Sequence, residues 1–150
     1  MQRRAFLALA LLTFAPRVAT ADAALNDAAS DAALAFMKAL RKKDIEAALL
    51  FVDAPFLAED AQLLATKEDV KAYLTTLLGG IEPSELPNAV LGILDYDQSR
   101  AATESKVLKL RDAVLSTGDL LIATGRNGLS RGVLLVKAGG GKPMVVGVGY

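Results

Sequence analysis

Three short apolar runs of strand length end the chain, and they constrain its fold more than any other feature of the sequence. They span Asp119–Thr124, Arg131–Lys137 and Met144–Tyr150. Asn127-Gly128 and the triple glycine at 139–141 lie between them, and such sequences are typical of tight turns. Strands joined by tight turns form an antiparallel meander, whose apolar face needs helices to cover it.

The first half of the chain shows helical periodicity. Apolar side chains recur at the spacing i, i+3, i+4, i+7 in two segments, at Ala33, Phe36, Met37 and Leu40 and then at Ile45, Ala48, Leu49 and Val52. Asp44 stands where it can cap the second helix, and Asp53-Ala54-Pro55 ends that helix because proline restricts the backbone before it. A third helix begins at a capping box formed by Thr66 and Asp69, and it ends at Gly79-Gly80.

The segment from residue 79 to residue 88 is predicted to be a loop between a helical half and a mainly extended half. Ala89–Tyr96 predicts a strand, and Thr103–Ser116 predicts a fourth helix because its apolar residues fit a period of 3.6 better than a period of 2. The sequence therefore predicts an α+β fold, with N-terminal helices packed on an antiparallel sheet that the C-terminal half mainly forms. Since the last strands are apolar at nearly every position, we expect them to be buried on both faces or to line a cavity.

The N-terminus has the three parts of a cleavable export signal. Arg3-Arg4 precedes an apolar run of 11 residues, Ala5–Ala15, and the small residues Ala19-Thr20-Ala21 follow. A helix needs about 20 apolar residues to cross a bilayer, so we expect cleavage to leave no membrane anchor. The predicted organisation is a signal peptide at residues 1–21 and a single α+β domain at residues 22–150.

We expect the mature protein to be exported to the periplasm or secreted. Arg3-Arg4-Ala5-Phe6-Leu7 resembles the twin-arginine export signal, and an ordinary Sec signal fits the same residues, so either route is open. The chain has no cysteine, which excludes structural disulfides and lipid attachment at a cleavage-site cysteine.

The charge of the predicted mature domain disfavours nucleic-acid binding. The whole chain has 17 basic and 17 acidic residues. Three arginines leave with residues 1–21, so 14 basic residues face 17 acidic ones and the net charge is −3. Binding to nucleic acid needs a concentrated cationic surface, and the sequence has no such stripe.

The residue inventory excludes several kinds of catalysis. The chain has no histidine, cysteine or tryptophan, so histidine-based triads, thiol nucleophiles and zinc sites with nitrogen or sulfur ligands are excluded. Acid–base chemistry would fall to Asp, Glu, Lys or Tyr, and the catalytic candidate is Asp60, with Glu59 beside it and Tyr73 nearby. The alternative is a solvated acidic loop before a helix. Asp95 and Asp97 lack the further oxygen ligands that calcium requires, so we predict neither a metal site nor a cofactor.

Four local segments resemble the nuclear transport factor 2-like superfamily. They are Phe36-Met37, Lys43–Ala47, Phe51–Asp53 and Thr66–Val70. The resemblance implies a curved antiparallel sheet wrapped around the helices, a cone-like shape and a pocket at its open end. Ketosteroid isomerase, scytalone dehydratase and polyketide cyclases share this fold with non-catalytic binding domains, so the resemblance leaves the activity open.

The isomerase of this superfamily provides a specific test. Its mechanism uses an Asp base and a hydrogen-bonded Tyr that holds the developing oxyanion. In this chain the base position falls close to Glu59-Asp60, and the tyrosine position falls at Phe36. A phenyl ring cannot donate the required hydrogen bond, so the resemblance itself predicts that isomerase activity is absent.

A set of apolar residues is predicted to line the cone-shaped pocket: Phe36, Met37, Phe51, Phe56, Leu57 and Tyr73. At helical spacing the same residues could equally form a plain core. Arg126 and Arg131 flank a hairpin tip, where they could clamp an anionic ligand at the pocket rim or simply keep a sheet edge soluble.

These observations predict an exported, non-enzymatic binding or interaction domain for a small apolar ligand or a partner protein. One alternative is a cofactor-free lyase, isomerase or cyclase that uses Asp60 as its base. A second is an assembly module that forms a homodimer through its sheet. We expect no nucleic acid and, after signal cleavage, no membrane among its partners.

Overall fold

The computed structural model describes residues 21–139 and 141–149. Its helices are α1 (Ala21–Arg41), α2 (Ile45–Leu49), α3 (Lys67–Gly79), α4 (Tyr96–Ser99) and α5 (Ser105–Asp112), with 3₁₀ turns at Pro83–Glu85 and Arg100–Ala102. Its strands are β1 (Val52–Leu57), β2 (Leu63–Leu64), β3 (Ala89–Asp95), β4 (Leu120–Arg126), β5 (Leu129–Lys137) and β6 (Met144–Gly149). The predicted signal peptide lies outside the described residues except for Ala21, where α1 begins.

The six strands form one open sheet in the order β2-β1-β6-β5-β4-β3. Helices come first and most of the sheet follows, so the predicted α+β fold is confirmed. The predicted meander of β4, β5 and β6 is antiparallel throughout. The sheet is nevertheless mixed, because β1 pairs with β6 in parallel and so brings an N-terminal strand beside the last one.

The strand β1 corrects the prediction for residues 52–57. Helix α2 ends at Leu49 rather than at Val52, and the predicted break at Asp53-Ala54-Pro55 lies inside β1. The pairing with β6 shifts register between Val52 and Leu57, and proline is tolerated at such an irregularity because its missing N–H is not needed there. Val52 and Phe56 are buried, which shows why this segment joins the sheet.

The predicted helix caps are confirmed. Asp44 accepts a hydrogen bond from the Ala47 N–H at 3.0 Å and starts α2. Thr66 accepts one from the Asp69 N–H at 3.2 Å and starts α3, which ends at Gly79. These contacts lie within four residues of chain, so the sequence alone determines them.

The predicted helix at residues 103–116 is shorter than expected. Strand β3 ends at Asp95, whose carboxylate accepts a hydrogen bond from the Asp97 N–H at 3.0 Å and starts α4. Asp95 and Asp97 therefore do not share a strand face. Helix α5 covers only Ser105–Asp112, because Ser116 lies in a turn whose N–H donates to the Asp119 carboxylate at 2.8 Å.

Strands β4, β5 and β6 contribute buried residues to both faces of the sheet, as their apolar sequences predict. Its front face, defined here as the side that packs against α1, α2 and α3, includes Ile122, Leu134 and Val145. The back face packs against α4, α5 and the turn after α5, and its cluster consists of Leu57, Tyr96, Val114, Leu115, Leu121, Leu135 and Val146. Neighbouring residues such as Leu121 and Ile122 face opposite sides because side chains alternate along a strand.

Across residues 21–139 and 141–149, no helix has both the length and the apolar content needed to cross a membrane.

Candidate functional site: an apolar cavity and an acidic cleft

A cavity of about 170 Å³ lies between the front face of the sheet and the helices. Its walls are mainly apolar and come from three parts of the chain: Phe36, Met37 and Leu40 on α1, Leu77 on α3, and Leu134 and Val148 on the sheet. Phe36 and Met37 are almost completely buried, so they form the floor of this space as well as part of the core. The cavity is therefore the space that the helices and the sheet leave unfilled.

Three charged residues line the same cavity: Glu59, Glu85 and Arg131. Each of them is exposed to solvent, which places them at the mouth rather than at the floor. Arg131, one of the two predicted rim residues, therefore does lie at the rim. The combination of an apolar interior with a few polar groups at the opening is common in binding sites for small molecules.

A β-bulge places Arg131 at this mouth. Thr124 pairs with Gly132 and Gly125 pairs with Ser130, so Arg131 is the extra residue on β5. Gly132 has a φ of +130°, and a Cβ at this position would lie 2.8 Å from the carbonyl oxygen of Gly149. The Thr124 hydroxyl donates to the Gly132 carbonyl at 3.1 Å and fixes the same segment.

Arg126, the other predicted rim residue, supports the mouth from outside the cavity. Its guanidinium donates to the Leu86 carbonyl at 3.1 Å. Arg41, the last residue of α1, donates to the Pro87 carbonyl at 2.8 Å. Leu86 and Pro87 both line the cavity, so the two arginines hold one of its walls in place.

The other four predicted pocket residues lie elsewhere. Phe56 is in the core, and Phe51 lies under the Lys142 ammonium group, 5.7 Å from the ring centroid. Leu57 belongs to the back-face cluster because strand alternation turns it away from Phe56. Tyr73 lines a separate cleft. Of the six predicted pocket residues, the structure brings only Phe36 and Met37 to the cavity.

A second depression, the acidic cleft, holds the predicted catalytic candidate. It measures about 620 Å³ and includes Glu59, Asp60, Asp69, Tyr73 and Thr76 in its lining. The predicted grouping of Asp60 with Glu59 and Tyr73 is therefore present in one place. The Tyr73 ring packs against Phe56 with 6.2 Å between centroids, and its hydroxyl accepts a hydrogen bond from the Glu59 N–H at 3.5 Å.

Asp60 is exposed within this cleft. One of its oxygens accepts a hydrogen bond from the Gln62 N–H at 3.2 Å and so stabilises the turn between β1 and β2. A general base usually lies in a site from which water is excluded, and Asp60 has an open position instead. Among the described residues, no group of three or more acidic side chains is arranged to hold a metal ion.

The sequence analysis missed a polar cluster on the back face, in which Tyr96 is buried whereas Arg100 and Asp112 are exposed. Tyr96 is 1% exposed and its hydroxyl donates to the Asp112 carboxylate. Arg100 forms an ion pair with the same carboxylate, and its guanidinium lies 5.5 Å from the centroid of the Tyr96 ring. Burial raises the pKa of Tyr96 to about 12, and the hydrogen bond from Arg100 lowers the pKa of Asp112.

This cluster joins α4 and the following 3₁₀ turn to α5. The three residues are separated by up to 16 positions in the chain, and no short motif links them. The one sign of this cluster in the sequence was a tyrosine at the end of a predicted strand. Tyrosine is common in strands, so its presence did not indicate a polar cluster.

Comparisons of this chain with protein-family models, curated proteins and solved structures found no match.

Proposed function

We propose that the protein is an exported, non-enzymatic binding domain of the nuclear transport factor 2-like type, which holds a small apolar molecule in the front-face cavity. The observation that carries this proposal is the apolar space between α1 and the sheet, with Arg131, Glu59 and Glu85 at its mouth. The order of elements supports the same proposal, because helices precede most of the sheet and pack on one of its faces.

The volume of the cavity limits the size of the ligand. Engineered cavities of about 150 Å³ bind benzene, whereas sites for drug-sized molecules measure about 300–1,000 Å³. A cavity of about 170 Å³ therefore fits a molecule close to a single aromatic ring in size. A polar substituent on such a ring would be placed best at the mouth, where Arg131 and the two glutamates can contact it.

The lining of the cavity favours binding over catalysis. Among the described residues, no tyrosine and no aspartate lines it, and its two carboxylates belong to Glu59 and Glu85 at the mouth. Phe36, at the position where the isomerase resemblance requires a tyrosine, contributes only a hydrocarbon surface. Thr124 is a buried polar residue in the lining, and its hydroxyl is used in the hydrogen bond to the Gly132 carbonyl. An apolar molecule inside this space would therefore meet no carboxylate at its floor.

The proposal can be tested by filling the cavity. Val148→Phe directs a larger side chain into the cavity wall, and Val107→Phe makes the same change at a partly exposed position on α5, outside the cavity. Benzene should raise the melting temperature of the wild type and of Val107→Phe but not of Val148→Phe, because a ligand stabilises only the state that binds it.

Native mass spectrometry of the protein purified from its own compartment would then identify any natural ligand. A wild type whose melting temperature does not respond to benzene, or a Val148→Phe variant that responds as the wild type does, would contradict the proposal.

A second candidate is acid–base catalysis in the acidic cleft, with Asp60 as the base. The observation in its favour is that the predicted group of Asp60, Glu59 and Tyr73 lines one cleft of about 620 Å³. The exposure of Asp60 counts against it. If an activity is found, Asp60→Asn should abolish turnover while the fold is preserved, and unchanged turnover would eliminate Asp60 as the base.

A further inference from the structure

The back face of the sheet carries an apolar groove of about 480 Å³, which lies between the edge of the sheet and the segment from α4 to α5. Its apolar walls include Leu94 on β3, Leu121 and Ala123 on β4, and Val133 on β5. Leu94 is 54% exposed, so an apolar molecule in the groove would cover a side chain that the fold leaves in water. The volume falls within the range of sites for drug-sized molecules, about 300–1,000 Å³.

A single charged side chain lines this apolar space. Of the described residues that line the groove, only Arg111 carries a charge, and it is half-buried near the end of α5. None of the described carboxylates forms an ion pair with Arg111. The acidic residue next to it in the sequence, Asp112, pairs with Arg100 and accepts the Tyr96 hydroxyl instead. Because a guanidinium stays protonated in proteins, the groove contains a permanent positive charge that the described chain leaves without a counterion.

The other polar groups of the groove also favour a ligand that accepts hydrogen bonds. The Ser99 hydroxyl donates to the Tyr96 carbonyl at 2.8 Å, and the Thr103 hydroxyl donates to the Ser99 carbonyl at 2.7 Å, so both protons are used inside the fold. Gln98 is exposed in the groove wall, and its amide forms no hydrogen bond with the described residues. The groups available to a ligand, the Arg111 guanidinium and the Gln98 amide, can both donate hydrogen bonds.

The charge of the surrounding segment favours an anion. Residues 100–112 carry four basic and two acidic side chains, whereas the predicted mature domain has a net charge of −3. Lys106 and Lys109 lie on α5 together with Arg111. A cluster of one sign of charge raises the local concentration of ions of the opposite sign, so this wall of the groove attracts anions to a protein that is otherwise acidic.

We propose that the groove binds an amphipathic carboxylate, which is a small molecule with one carboxylate group and a hydrocarbon body. The carboxylate accepts hydrogen bonds from Arg111, whose planar guanidinium matches the two carboxylate oxygens. The hydrocarbon body lies against Leu94, Leu121 and Val133, which removes apolar surface from water. This site is on the opposite face of the sheet from the front-face cavity, so the inference holds or fails independently of the proposed function.

Isothermal titration calorimetry of the full-length protein with octanoate tests the proposal. The matched uncharged probe is 1-octanol, which has the same number of carbon atoms. Octanoate should bind several-fold more tightly than 1-octanol, and added salt should weaken its binding because the ion pair is only partly buried. Equal affinities for the two probes, or no binding of octanoate, would overturn the proposal.

Two variants test the role of the charge. Arg111→Met removes the charge and keeps a long apolar side chain, and Lys109→Met makes the same change at an exposed position on α5 that does not line the groove. Circular dichroism establishes that each variant is folded. Arg111→Met should lose most of the affinity for octanoate, whereas Lys109→Met should bind octanoate as the wild type does. Equal losses in the two variants would show that Arg111 does not hold the carboxylate and would overturn the proposal.

A second pair of variants tests the apolar wall. Leu94→Ser should weaken octanoate binding several-fold, and the control is Leu50→Ser, at a leucine that is 65% exposed between α2 and β1 and does not line the groove. Val148→Phe, which fills the front-face cavity, should leave octanoate binding unchanged. If octanoate binding is lost in Val148→Phe and retained in Arg111→Met, the carboxylate binds in the front-face cavity and the proposal is overturned.

Discussion

The Asp119 carboxylate accepts a hydrogen bond from the backbone N–H of Ala138 at 2.9 Å, which ties the turn before β4 to the end of β5. The same oxygen accepts a second bond from the Gly139 N–H at 3.1 Å, and the other oxygen accepts the Ser116 N–H at 2.8 Å. Asp119 is 1% exposed, so water cannot replace these three bonds if the side chain is removed.

We therefore expect Asp119→Ala to lower the free energy of unfolding by about 3 kcal/mol, because it leaves backbone N–H groups buried without an acceptor. Urea denaturation followed by circular dichroism would measure the change. Asp31→Ala, at an exposed position on α1, is the control and should stay within about 0.5 kcal/mol of the wild type. A loss of similar size in both variants would contradict the assigned role of Asp119.

Asp112 should make stability depend on pH in the acid range. Hydrogen bonds from Arg100 and Tyr96 lower the pKa of its carboxyl from the ordinary value of 3.8. A carboxyl whose pKa is lower in the folded state stabilises the fold at pH values above the pKa of the unfolded state. This stabilisation is lost as pH falls through the pKa of the folded state. Asp112→Asn should thus be less stable than the wild type at neutral pH, and the difference should shrink as pH falls below about 4.

Urea denaturation of both proteins at a series of pH values would check this expectation. A difference in unfolding free energy that stays constant between neutral pH and acid pH would show that the Asp112 charge has no part in it. Asp31→Asn is the control, because it measures how removing the charge of an exposed carboxylate changes the unfolding free energy at each pH.

Tyr96 should make stability depend on pH in the alkaline range. Burial raises the pKa of its hydroxyl from 10.0 to about 12. A hydroxyl whose pKa is higher in the folded state stabilises the fold at pH values below the pKa of the unfolded state. This stabilisation is lost as pH rises from about 10 to about 12. The wild type should therefore lose stability across this range more steeply than Tyr96→Phe does. Subtracting the tyrosinate absorption of Tyr96→Phe from that of the wild type should give a midpoint near 12 rather than near 10.

Much of the fold could be predicted from the sequence because its signals are local. Asp44 and Thr66 cap their helices through N–H groups three residues ahead, and Asn127-Gly128 takes positive φ at both residues in the turn between β4 and β5. In each case the residue type and its neighbours determine the conformation.

The strand β1 and the site could not be predicted in the same way. Val52 belongs to β1 because it pairs with Val145, more than ninety positions away, and helical spacing alone assigned it to α2. The same pairing decides that Phe56 faces the core while Leu57 faces the opposite side, so a list of apolar residues could not separate pocket from core. Arg131 reaches the cavity mouth through a bulge that depends on Gly132 and on its close approach to Gly149.

Gly132→Ala should therefore be destabilising. The residue has a φ of +130°, and a Cβ there would lie 2.8 Å from the Gly149 carbonyl oxygen, so both the backbone conformation and the contact would have to change. We expect a loss of more than about 1 kcal/mol in unfolding free energy. Gly92→Ala is the matched control, because a Cβ on that strand residue would meet no atom within 4 Å. Equal stability of the two variants would mean that β5 tolerates a side chain at the bulge.

Asp60→Asn separates the acidic cleft from the ligand cavity. Glu59 is the acidic residue shared by the two linings, whereas Asp60 and Tyr73 line the cleft alone. If the cavity is the binding site, Asp60→Asn should leave the benzene-dependent rise in melting temperature unchanged. A benzene response that disappears in Asp60→Asn would move the binding site to the cleft, because the substitution preserves the size of the side chain and removes only its charge.

Arg131→Met should instead change the affinity for aromatic ligands that carry a polar substituent, because Arg131 lies at the mouth of the cavity. The same substitution should leave the binding of benzene itself intact.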